Sequence, residues 1–183
     1  MTISNKLTIF RIILVPVFVS LMLSDFTASN IWAVLVFILA SLTDYLDGYL
    51  ARSRNEITDF GKFLDPIADK ILVISALLCL LEFGIIPSWS VIIIIAREFI
   101  VSGLRMSAAS KNVVIAADKF GKMKTVLQML SIILMMISLT YSWANYYNIA
   151  LVCYYFSVIL TVFSGCSYIL KNKNVFYDKE NEK

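Results

Sequence analysis

Six apolar runs follow one another through this chain, separated only by short polar links. They extend to about Leu23, then over about Ile31–Leu50, Asp65–Leu81, Trp89–Met106, Thr125–Ser142 and Ile149–Leu170. Each is close to the ~20 residues that cross the hydrocarbon core of a bilayer as a helix. In lipid every backbone N–H and C=O needs an internal partner, so a spanning segment of this kind must be helical. The mean hydropathy of +0.81, with 60% hydrophobic and 16% charged residues, lies outside the soluble range. The expected fold is an all-α polytopic membrane protein with six transmembrane helices. A single domain over 1–183 is expected, with a polar, amphipathic N-terminal segment (1–8) and a charged tail (171–183). No internal repeat is visible.

The N-terminal segment Ser4–Arg11 and the apolar run after it superficially resemble a signal peptide. The run lacks a small-residue cleavage site and is followed by further spans, so it reads as a retained first helix. Pro16 is tolerable in a membrane helix. Asp65-Pro66 reads as the opening of the third span, aspartate as N-cap and proline at the first helical position. Trp143, Tyr146 and Tyr147, in an aromatic turn over 141–148, suit an interfacial anchor.

Six spans put both termini on one side, and the basic residues say which. Of the 16 lysines and arginines, two lie in the N-terminal segment, four in 52–70, one at Arg97, five in 105–124 and four in the tail; 24–30, 82–90 and 141–148 have none. The positive-inside rule makes both termini and both basic connectors cytoplasmic. A bacterial inner (plasma) membrane is the expected location.

Within this apolar chain, Asp44, Asp47, Asp65 and Asp69 form two pairs with spacings of three and four. On a helix such spacings share a face. An ionised carboxylate in a span costs roughly 2.5–3.5 kcal/mol even on a lenient scale, and four together repel one another. A cation must sit among them, and hard oxygen donors suit magnesium or manganese. Two such ions about 3.5–4 Å apart would clamp a phosphate or pyrophosphate for in-line displacement at phosphorus. Gly48 and Gly61 permit close approach of backbone or ligand, and Arg52 offers a bidentate partner for phosphate oxygens. The chain has no histidine, which removes Ser-His, Cys-His and His-metal chemistry and leaves a carboxylate as the available general base. The cysteines, Cys79, Cys153 and Cys166, show no metal-ligand spacing and read as small packing residues.

The pattern Asp-x2-Asp-Gly-x2-Ala-Arg-x8-Gly-x3-Asp-x3-Asp is matched at Asp44, Asp47, Gly48, Ala51, Arg52, Gly61, Asp65 and Asp69. It resembles the signature of the CDP-alcohol phosphotransferase family. The motif covers 26 residues, and the six-span layout extends the resemblance to most of the chain. The resemblance implies that the four aspartates hold two divalent cations, Mg2+ or Mn2+, with Asp69 also the proton acceptor. Asp47, Gly48, Ala51, Arg52, Thr58 and Gly61 would bind the CDP-alcohol. The family's Asn-x-Leu-Thr-x2-Arg stretch is matched by Asn5, Leu7, Thr8 and Arg11, which places Asn5 and Thr8 near the nucleotide. An acceptor hydroxyl would attack the lipid-side phosphorus and CMP would leave. The resemblance also suggests a homodimer.

Ile95-Ala96-Arg97-Glu98-Phe99, Gly103-Leu104-Arg105 and Gly121-Lys122-x-Lys124-Thr125 resemble the branch of the family that forms phosphatidylglycerophosphate. This implies CDP-diacylglycerol and glycerol 3-phosphate as substrates, with Arg97, Arg105, Lys119, Lys122 and Lys124 as candidates for the acceptor phosphate. A structural reading stands beside each: an internal Arg97–Glu98 ion pair, and lysines that serve topology or anionic lipid. Relatives using inositol phosphate, serine or choline, or forming cardiolipin, are the alternatives inside the family. A divalent-cation transporter is the alternative outside it, disfavoured because the carboxylates gather at one face rather than at the midplane between repeats. The lipid bilayer is the expected environment, and no nucleic-acid partner is expected.

Overall fold

The computed structural model describes residues 3–26, 28–54, 59–110, 119–140 and 144–172, with the side chains at 3–6, 44–54, 59–66, 69, 109–110, 119, 140 and 144–146 outside the description. Among the described residues there are six helices and no strand: α1 (Ile3–Met22), α2 (Ser29–Arg54), α3 (Asp59–Glu82), α4 (Ser88–Ser110), α5 (Lys119–Thr140) and α6 (Ala144–Lys171). The order follows the six apolar runs, but the ends do not. The N-terminal polar segment is continuous with the first helix from Ile3. The third helix opens at Asp59, so Asp65 and Pro66 lie inside it rather than capping it, a correction to the sequence reading. The aromatic turn is cut short because α6 begins at Ala144, and the basic connector loses its flanks to α4 and α5. Hydropathy marks the thickness of the bilayer, whereas a helix continues as long as its backbone hydrogen bonds do. At ~1.5 Å per residue, the 26 residues of α2 extend about 39 Å, past a core of about 30 Å.

The chain divides into two compact units, one of Met1–Ile86 with Ile132–Tyr147, the other of Pro87–Ser131 with Asn148–Lys183. In the first, α1 packs against α2 and α3, which also touch each other. The buried stripe of α1 is Thr8, Arg11, Val15, Phe18 and Met22, spaced alternately three and four. Small residues on α2, Ala33 and Ala40, are fully buried and flank Phe37, whose ring lies 5.7 Å from that of Phe18. Small side chains let backbones approach closely where no hydrophobic effect drives helices together. The α3 helix ends in a Schellman cap, with Gly84 N–H bonded to Leu81 O (2.9 Å) and Ile85 N–H to Leu80 O (3.0 Å). Gly84 has φ +69°, a left-handed conformation that a Cβ would strain.

In the second unit, α4 and α6 are tied together along their length. Ser90 meets the Tyr154 hydroxyl at 2.8 Å, Arg97 Nη2 donates to Ser164 Oγ at 3.1 Å, and Arg105 Nε donates to the Tyr168 hydroxyl at 3.2 Å. The partners rise in number together, so the two helices run parallel. The buried stripe of α6 is Ala150, Tyr154, Ser157, Thr161, Ser164 and Tyr168. Its serine and threonine hydroxyls donate within their own helix: Ser157 to Tyr154 O and Thr161 to Ser157 O, each at 2.7 Å.

The faces turned outward are apolar. On α2, Trp32, Leu35, Leu39 and Leu42 are exposed opposite the buried Ala33–Phe37–Ala40 line. On α6, Ile149, Val152, Phe156, Ile159 and Phe163 do the same. A soluble helix reverses this pattern, so these stripes suit contact with lipid. Two helical stretches among the described residues, Phe120–Leu139 and Tyr147–Lys171, are long and apolar enough to cross a membrane.

Candidate active site

The aspartate positions continue the buried lines of their helices. On α2 the series Ala33, Phe37, Ala40 steps on, in alternating fours and threes, to positions 44, 47 and 51. On α3, positions 61, 65 and 69 share a face with Ala68, Leu72 and Ala76, all buried, and lie opposite the exposed Ile67 and Ile71. Both pairs of positions therefore lie in register with the buried lines of two helices that touch. The uninterrupted helix through Asp65-Pro66 is what brings Gly61 into line with Asp65 and Asp69. Among side chains that are described, no three of His, Cys, Asp or Glu come together; the four aspartates stand outside that set.

The α1 helix packs against both α2 and α3. It runs antiparallel to α2 through the tight link at 23–28, with Phe18 against Phe37. Seven residues back along α1 and seven forward along α2 bring Arg11 level with position 44, and three more bring Thr8 level with position 47. Thr8 is 1% and Arg11 0% exposed. A fully buried arginine is retained in a span only with partners, and this one stands at the depth of the acidic positions. The Asn-x-Leu-Thr-x2-Arg stretch thus belongs to the same end of the first unit. The side chains of Asn5, Gly48, Ala51, Arg52, Gly61, Asp44, Asp47, Asp65 and Asp69, and Thr58 and Trp143 entirely, lie outside the described residues.

The basic candidates of the second unit separate. Glu98 Oε1 accepts from Arg97 Nη1 at 3.0 Å and from Lys124 Nζ at 2.6 Å. The Lys124 side chain is 2% exposed, with Arg97 at 13% and Glu98 at 23%. Arg97 and Lys124 thus form one cluster bridged by a carboxylate, and the internal ion pair weighed from the sequence is present. Arg105 is exposed and covers Tyr168, its guanidinium carbon 5.6 Å from the ring centroid. Lys122 is exposed, and the side chain of Lys119, like Lys111 as a whole, is outside the description.

Two partners in this cluster escape sequence reading. Ser164 accepts from Arg97 while donating to Thr161 O at 3.2 Å. A Cβ on Gly165 would lie 3.1 Å from Arg97 Cγ, and one on Gly121 3.2 Å from Arg97 Nη2. Gly165 sits in an apolar run with no local signal. Only its meeting with Arg97 gives it meaning.

The chain belongs to the CDP-alcohol phosphatidyltransferase family, whose model matches residues 1–163. Curated relatives resemble it over nearly their whole length. A Bacillus subtilis CDP-diacylglycerol–glycerol-3-phosphate 3-phosphatidyltransferase is 40% identical over 181 residues, covering 92% of this chain and 93% of its own. Proteins of the same name from Haemophilus influenzae (41% over 180 residues, 94% of each chain) and Rickettsia typhi (37% over 173 residues, 94% and 97%) are similarly close.

Proposed function

We propose that the chain is a phosphatidyltransferase joining CDP-diacylglycerol to glycerol 3-phosphate, giving phosphatidylglycerophosphate and CMP. The observation that carries this reading is the family motif, complete from Asp44 to Asp69, in register with the buried lines of two touching helices. The names of the relatives support this donor and this acceptor. Asp44, Asp47, Asp65 and Asp69 would hold two divalent cations, Mg2+ or Mn2+, which when bound offset the charge of the pyrophosphate and of departing CMP. Asp69 also takes the proton of the attacking glycerol hydroxyl, because the chain has no histidine to do so. The lipid-side phosphorus gains the new P–O bond and loses its bond to CMP. Asn5, Thr8, Asp47, Gly48, Ala51, Arg52, Thr58 and Gly61 form the CDP-diacylglycerol site. Arg97 and Lys124, with Arg105, Lys119 and Lys122, supply the cations for the acceptor phosphate.

Six transmembrane helices, cytoplasmic termini and an active site open to the cytoplasm, within one transmembrane domain, complete the proposal. The parallel course of α4 and α6 supports this alternation, since every second span must cross in the same sense. A homodimer in a bacterial plasma membrane is part of the same reading. The deciding experiment is CMP release by purified protein with CDP-diacylglycerol and magnesium or manganese, with and without glycerol 3-phosphate, beside Asp69→Asn. Release requiring glycerol 3-phosphate, and lowered by about 10² or more in the variant, is expected. Release driven only by another alcohol would overturn the acceptor; none with any alcohol from folded protein would overturn the enzyme.

A further inference from the structure

The Arg97–Glu98–Lys124 cluster is built more tightly than an incidental ion pair. One oxygen, Glu98 Oε1, holds both cations, so their nitrogens lie no farther apart than two hydrogen bonds laid end to end. The second guanidinium nitrogen of Arg97 is fixed by Ser164, whose own proton is committed to Thr161 O. Glycines from α5 and α6 flank the arginine, Gly121 at the guanidinium tip and Gly165 at the stem. Both terminal nitrogens of Arg97 are thereby held, while its buried Nε has no hydrogen-bond partner among the described residues.

We infer that Glu98 is a positioning residue: it holds Arg97 and Lys124 together as a paired cationic site for the phosphate of glycerol 3-phosphate, with Gly121 setting the clearance at the guanidinium tip. This rests on the proposed reaction and adds to it a residue that touches no substrate. Two cations at this spacing repel each other, and in a poorly solvated site the repulsion is strong. A shared carboxylate offsets it, and the donor left to face a ligand is the buried Arg97 Nε, which has no hydrogen-bond partner among the described residues. A dianion profits most from two cations held in advance, because the ordering cost is met before binding. Gly121 tunes the arrangement: a methyl group there meets only the movable end of Arg97, shifting Nη2 without disturbing the backbone.

The test is steady-state kinetics with CDP-diacylglycerol and glycerol 3-phosphate on Glu98→Gln, Glu98→Asp and Gly121→Ala, with thermal unfolding in detergent measured alongside. Glu98→Gln is expected to raise KM for glycerol 3-phosphate about tenfold or more, leaving KM for CDP-diacylglycerol within about twofold. Glu98→Asp should recover part of the loss, and Gly121→Ala should raise the same KM by a smaller factor. An unmoved KM for glycerol 3-phosphate in folded Glu98→Gln overturns the inference. So does a parallel fall in both kcat/KM values that follows lost thermal stability, because that is a purely structural role. If Glu98→Gln does not fold, Gly121→Ala decides by the same criterion. Wild-type protein without any requirement for glycerol 3-phosphate overturns the underlying reaction and this inference together; an intact wild-type reaction isolates failure to the inference.

Discussion

Thr8 shows how a single side chain acquires a role from its surroundings. It is buried on the α1 stripe, level with position 47, although a hydroxyl contributes little to packing. Thr8→Val keeps the shape and removes one hydrogen-bonding group, worth about 0.5–1.5 kcal/mol. If the hydroxyl serves the nucleotide, KM for CDP-diacylglycerol rises several-fold while KM for glycerol 3-phosphate stays put, as steady-state kinetics in mixed micelles would report. At the same scale the sequence marks Arg97 well, since an arginine in a span needs a reason. It marks Ser164 and Gly165 not at all, because serine and glycine are ordinary in membrane helices.

Among the helices, glycine and alanine have opposite meanings according to what faces them. Nothing lies within 4 Å of a Cβ built on Gly103 of α4. Gly103→Ala should therefore be neutral or stabilise by up to about 1 kcal/mol, the helix-propensity gain. Ala40 on α2 is fully buried, and Ala40→Leu should destabilise by about 1–3 kcal/mol through overpacking. Thermal unfolding of both variants in one detergent checks the pair. Helix order was readable from the apolar runs, but the ends were not. Asp65-Pro66 carries the residue types of a helix start, yet α3 is already helical from Asp59. Local preference for a cap is worth about 1 kcal/mol, less than tertiary packing can supply to a continuing helix.

For the whole molecule, bilayer and metal are the testable partners. Ile159 is 63% exposed on the apolar face of α6. An arginine in the middle of a span costs roughly 2.5–3.5 kcal/mol on the insertion scale, so Ile159→Arg should lower the fraction resisting alkaline extraction from membranes, and Ile159→Leu should not. Removal of divalent cations by a chelator should abolish CMP release, and magnesium or manganese should restore it. Activity that persists at full chelator excess would sink the two-cation reading.

The sequence by itself determined the helical class of the fold and the family. Apolar runs of bilayer length force helices, because unpaired backbone cannot sit in lipid, and eight fixed positions at fixed spacing mark one chemistry. Only the tertiary structure decided which cations meet. Arg97, Lys124 and Ser164 lie on three helices, far apart in the chain, and no local spacing encodes the meeting of Lys124 and Arg97 on Glu98 or of Ser164 with the guanidinium group. Short-range periodicity follows from the geometry of a single helix. Contacts between helices depend on how small residues let them pack.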